Sequence, residues 1–312
     1  MDFLSAISKP LLELDSFKAV LEDLKNDITP ILVSGVIDVQ WLHVIGAVIE
    51  NIDVPAVIVA ENDFKAKEIY DDLKFFVKNV RFYPSRDLIF YDADVHSKET
   101  EMQRAGIINS LLENERLVAV MSVESLMDRK MRRADFEKYV INIEEAQVLD
   151  IDGFIEKLIL MGYERTDLVE GAGQFSVRGG IIDIYSPVEE TAARIEMWDD
   201  EIDSIRTMDT NSQRSMERVK SVKIFPIGDV VYGNKELEKA VGLMEKEYKK
   251  TRASFEKKGM DEEAEKLDEH VGEDIQRLKT EKYVKNIAAY IQYFYEDTGN
   301  ILDYFAKDTI LF

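Results

Sequence analysis

Arg165 and Arg178 bracket the part of the sequence richest in glycine and β-branched residues, and each stands near an aromatic, Tyr163 and Phe175. A guanidinium fork grips carboxylates with two parallel hydrogen bonds, and arginine beside tyrosine is the composition of protein-binding hot spots. Gly179 follows Arg178 directly, and each arginine sits at the edge of the hairpin unit, among few other cations. The same arginines could instead close internal salt bridges, to Asp183 or Glu164. Both readings stay open at this level.

Other chemistry finds less support. Asp199, Asp200, Glu201 and Asp203 could hold a metal or supply paired carboxylates. Apolar alternation on both sides makes them a hairpin turn, where aspartate tolerates left-handed backbone. A phosphate loop is expected after the first apolar run, at Ser34 to Trp41, and needs several glycines followed by lysine and a hydroxyl. Only Gly35 is present there, and Asp38 sets a negative charge where phosphates would lie. This cradle reads as degenerate and inactive. No Gly-x-Ser-x-Gly motif occurs, so acyl-transfer catalysis has no candidate. Cysteine is absent and histidine is limited to His43, His96 and His270, which leaves no expected metal site and no expected cofactor.

Charge narrows the partners. Lys and Arg total 40 against 62 Asp and Glu in 312 residues, a formal net charge of −22. Nucleic-acid binding rests on cations that displace counterions from phosphates, so binding of a duplex by this segment is not expected. No run approaches the ~20 apolar residues that span a bilayer, and no basic stretch precedes the first apolar residues as in a signal peptide. The cytoplasm is the default compartment and a membrane is not an expected partner.

These residues need elements to position them. Up to about residue 123, short apolar runs alternate with amphipathic stretches. Strands are expected at Ile31–Gly35, Ala56–Ala60, Val80–Pro84 and Leu117–Met121. Helices are expected at Trp41–Glu50, at Asp63–Val77 (with Phe64, Ile69, Leu73 and Phe76 on one side) and at Met102–Leu112. That rhythm implies a parallel, doubly wound α/β sheet. From about 124 to 211 a helix, Ile151–Met161, leads into alternating segments at 175–185, 194–198 and 202–205 joined by glycine and aspartate turns, an α+β unit of antiparallel hairpins. A further strand is expected at Val219–Phe225. Lys235–Lys282 reads as two long, solvated helices broken at Gly259, and the aromatic tract from Tyr290 to Phe312 returns to core-like sequence.

Gln174 to Pro187, Arg194 to Arg206 and Ser212 to Ser215 closely resemble the bacterial transcription-repair coupling factors. Tyr83-Pro84 through Phe90-Tyr91-Asp92 and the tract Glu101–Leu112 fit the same family. The resemblance covers nearly the whole chain and is weakest at 232–282. It implies the N-terminal module of such a factor, similar to the excision-repair subunit UvrB. That module is a helicase-like domain built from two segments (1–123 and 212–312) carrying an inserted domain (124–211) that docks the damage sensor UvrA. By the same resemblance, Arg165 and Arg178 correspond to UvrA-contacting arginines of UvrB, with Phe175, Tyr163 and Gly179 around them. Ser176 stands where UvrB has a further arginine, and the phosphate loop and the damage-threading hairpin of UvrB are not retained. The full-length factors also engage RNA polymerase, DNA and their own C-terminal domain. The expected role is therefore a non-enzymatic adaptor. A nucleotide-dependent, DNA-binding helicase-like domain is the alternative.

Overall fold

Two apolar runs form strands buried on both faces, β1 (Ala56–Ala60) and β3 (Val118–Ser122), and beside them lies β2 (Val80–Tyr83), in which Arg81 is exposed. Such runs suit a parallel sheet covered on either side. The computed structural model describes residues 9–37, 40–86, 94–187, 189–284 and 286–312, with backbone alone at 94–98. In it, β1 pairs in parallel with β3 and with the strand Ile310–Leu311, and β3 pairs with β2. Helix Gln40–Ile52 lends Leu42, Ile45 and Ile49 to the core, and helix Asp63–Leu73 lends Ala66, Ile69 and Leu73. The latter helix begins where the Asn62 side chain accepts the Lys65 amide at 2.8 Å.

Two expectations fail here. Ile31–Gly35 is not a strand: it has no ladder, and Leu32 is 92% exposed. The free edge of β1 is taken instead by the chain's end, with Ile310 N–H donating to Pro55 O and Phe312 N–H to Val57 O. Phe64 is also not part of the helix's buried side; it is 83% exposed, while Ile69 and Leu73 face inward.

Residues up to Asp128, with Ile301–Phe312, form one compact unit, and Arg129–Asn300 forms a second. The second is built on β4 (Ile141–Glu144), β5 (Glu164–Arg165), β6 (Gln174–Arg178), β7 (Ile181–Ile184), β8 (Ala192–Trp198), β9 (Glu201–Asp209), β10 (Arg214–Val219) and β11 (Ser221–Ile224). Strands β10-β9-β8-β7-β6-β5 make a six-stranded sheet, antiparallel except for the β5–β6 pair, and β11 pairs with β4. The expected strand Val219–Phe225 is thus divided: Val219 closes β10 and the remainder pairs elsewhere. Helix Asn234–Lys257 ends before Gly259, whose φ of +65° a residue with a side chain adopts at a cost. The chain then resumes through Asp261–Leu267, a π-turn at Asp268–Gly272 and Glu273–Thr280.

Candidate docking site

Strand alternation gives the six-stranded sheet two unlike faces. Phe175, Ile182, Ile195 and Ile205 stand in register across β6 to β9 or one step from it, and all are buried. The opposite face carries Ser176, Asp183, Arg194, Arg206 and Arg218, one per strand from β6 to β10 in direct register. In a chain of net charge −22 this is a concentration of guanidinium groups.

Asp183 organises that face. Its carboxylate is fully buried and accepts from Arg194 Nε at 2.7 Å and Nη2 at 2.9 Å, and from Arg178 Nη2 at 2.5 Å. A buried carboxylate holding a bidentate arginine is well compensated, and the Asp183 hydrogen bond raises the Arg194 guanidinium above its ordinary value. Arg194 is held further by Gln213 O at 3.2 Å. Arg178 is tied through one nitrogen only, and its side chain stays 41% exposed. Arg206 makes no ion pair among the described residues, whereas Arg218 pairs with Glu145 at 2.6 Å and pulls that carboxyl below its usual range.

One end of this polar face is closed and the other open. Val169 packs on Ala192 and Met208 at the closed end. At the open end Arg178, Gly179, Gly180 and Ile181 are all exposed. Gly179 and Gly180 form the two-residue loop between β6 and β7, with Gly179 at φ +60° as such primed turns require.

The internal salt bridge from Arg178 to Asp183 is formed, and the arginine side chain is still partly exposed. Arg165 is exposed on the edge strand β5 and has no ion pair among the described residues. Its partner in register is Phe175, three residues from Arg178, so the two arginines lie on opposite sides of the sheet edge. Their Cα atoms are about 11 Å apart by strand spacing and rise. The aromatics are not surface anchors. Phe175 is in the core, and Tyr163 is buried with its hydroxyl donating to Phe225 O at 2.7 Å, its phenol pushed up by burial. Ser176 is buried, its hydroxyl lacking a partner among the described residues.

Sequence reading missed Arg194 and Arg206. Their signal was available: each is a polar position in an alternating strand, in step with Asp183 once the hairpin turns are placed.

The acidic cluster is the turn expected of it, Asp199 lying at φ +59° between β8 and β9, and no group of metal-ligating residues occurs among the described residues. Gly35 is at a bend with φ +80° and open space around it, and Asp38 lies outside the described residues. The chain leaving β1 runs through Glu61, Asn62 and Asp63. Asp63 accepts from Ser85 N–H at 2.8 Å and Ser85 Oγ at 2.7 Å, so its carboxylate occupies the carboxyl end of the parallel sheet, where such folds place ligands. No helix among the described residues is long and apolar enough to cross a membrane.

Residues 141–229 match the family described as the UvrB interaction domain. Over 301 residues, 96% of this chain, the sequence is 30% identical to the transcription-repair-coupling factor of Bacillus subtilis, covering 25% of that protein. It is 28% identical over 319 residues to UvrABC system protein B of Thermosipho africanus, covering 48% of it. A transcription-repair-coupling factor of Staphylococcus epidermidis is 28% identical over 261 residues, of which the chain spans 22%. The chain thus spans 22% to 48% of the length of these relatives.

Proposed function

We propose, for a chain that carries a UvrB interaction domain and is related over nearly its whole length to transcription-repair-coupling factors and to UvrB, that it is a docking module for UvrA. The observation that carries this reading is the open, arginine-bearing end of the six-stranded sheet in an otherwise acidic protein. Arg178 offers a guanidinium already oriented from behind by Asp183, so little side-chain freedom is lost when a carboxylate arrives. Arg165 reaches the same partner around the short edge strand.

In this proposal the inserted domain of 124–211 recruits UvrA to stalled RNA polymerase, while other parts of a longer factor engage the polymerase and DNA and its C-terminal domain covers the docking face. The module itself works without ATP. Supporting this, the segment after β1 brings carboxylates rather than glycines to the ligand-bearing end of the sheet.

Titration calorimetry of UvrA into this chain tests the reading. Arg178→Glu should weaken binding by about 2–4 kcal/mol, the cost of reversing a charged hot spot. Arg165→Glu should cost less, because its side chain lies across the edge. Unchanged affinity in Arg178→Glu, with circular dichroism intact, rejects the assignment. A magnesium-ATP thermal shift is expected to be nil; a ligand at 100 times its dissociation constant would stabilise by about 2.7 kcal/mol.

A further inference from the structure

Trp198 is the last residue of β8 and is 80% exposed, an unusual setting for the side chain with most to gain from burial. Its place in the sheet is defined. Arg178, Ile181 and Glu196 are in direct register across β6, β7 and β8, and Trp198 follows Glu196 by two residues on the same side. The β6–β7 turn lies directly against it: Met197 N–H donates to Gly180 O at 2.7 Å, and a Cβ on Gly180 would sit 3.0 Å from Met197 O. Ile181, in register with both Arg178 and Glu196, is 36% exposed. Asp199 and Asp200 follow Trp198 directly, in the turn to β9.

We infer that Trp198 is the apolar anchor of the docking face, inserted into a cavity of UvrA while Arg178 and the Asp199–Asp200 turn pair with groups of opposite sign on either rim. This rests on the proposed UvrA-docking reading. It deepens that reading by moving the energetic centre from the arginines to an indole that the sequence shows only as one member of an alternating strand. Three features select a protein occupant. The indole, Ile181 and Arg178 form the aromatic, aliphatic and arginine set of a hot spot. The rims carry opposite charges, which fixes the partner's orientation. Stacking of single-stranded nucleic acid would require cations next to the indole, and the residues that follow it are Asp199, Asp200 and Glu201.

The test compares UvrA affinity of the intact chain with Trp198→Ala, Trp198→Phe and Arg178→Glu. Because the indole is exposed, the two Trp198 variants should melt like the parent. The expected result is at least a tenfold loss for Trp198→Ala, with Trp198→Phe recovering most of it. Parental affinity in Trp198→Ala while Arg178→Glu is weakened overturns this inference and leaves the docking proposal standing. Equal losses in the Ala and Phe variants also overturn it, since an apolar anchor must be rescued by a ring. A parent chain that does not bind UvrA overturns both.

Discussion

Asp183 and Arg178 have opposite weights in stability and in binding. Asp183 is fully buried between two guanidinium groups, so Asp183→Ala leaves Arg194 short of its acceptor inside the protein. Breaking such a pair costs about 3–5 kcal/mol, which chemical denaturation would read as a large fall in midpoint. Arg178→Ala removes the partly exposed partner and leaves Asp183 its two bonds from Arg194, so it should cost less stability than Asp183→Ala, yet it should lower UvrA affinity. Tyr163 and Phe175 behave in reverse. Tyr163→Phe forfeits the hydrogen bond to Phe225 O, about 1 kcal/mol of stability, and should leave binding unchanged. The sequence revealed the arginines through their rarity and the glycines beside them. It could not reveal that Phe175 faces the core, because adjacency along a strand does not say which side a residue takes until the β6–β7 register is known.

At the level of elements, the turn Gly179–Gly180 is what exposes Arg178 and abuts β8. Gly179→Ala forces a side chain into φ +60° and should destabilise by about 1 kcal/mol. Its effect on UvrA affinity should exceed that figure, since the loop carries both the arginine and the contact with Met197; calorimetry alongside thermal melting separates the two. Hairpins were legible because alternation and turn residues are local signals. The parallel strands β1 and β3 were legible as nearly unbroken apolar runs. Ile31–Gly35 has the same local signature, but strand formation there depends on a free sheet edge. The competitor for that edge, Ile310–Leu311, lies at the opposite end of the sequence. Phe64 misled for a different reason: five residues before Ile69, it lies about 140° round the helix from it, so helical spacing itself puts it on the outer side.

At the level of the molecule, carboxylates dominate and several are held by cations. Glu156 is held by Lys282, Glu245 by Lys279 and Glu296 by Lys239, and in each the hydrogen bond lowers the carboxyl below its ordinary value. A carboxyl lowered in the folded state binds its proton more readily when unfolded. These groups therefore stabilise the fold above the ordinary glutamate value of 4.5, and that stabilisation is lost as pH falls through the depressed folded values. The pairs are exposed, so added salt should blunt the effect. A melting series from pH 6 down to pH 3, at low and high ionic strength, reads both. All three pairs belong to the unit Arg129–Asn300, which carries the proposed docking face, and Asp71 and Glu115 are lowered by hydrogen bonds in the other unit, so both units should lose stability in acid.

The two units also differ in how the chain supplies them. Arg129–Asn300 is continuous, whereas the parallel-sheet unit needs Ile301–Phe312 to return and pair with β1, bringing buried Ile301, Tyr304 and Phe305. Removing residues 301–312 should open the edge of β1 and lower the melting point of the first unit by several degrees, as a loss of a few kcal/mol does in a domain of this size. UvrA affinity should stay within about threefold of the intact chain, a difference of under 1 kcal/mol. Residues 129–300 expressed alone should fold cooperatively and bind equally well, because every residue of the proposed site and the core beneath it lies within that span. A fragment that folds, by its near-ultraviolet circular dichroism, yet binds UvrA tenfold more weakly would mean that the parallel-sheet unit supplies part of the interface.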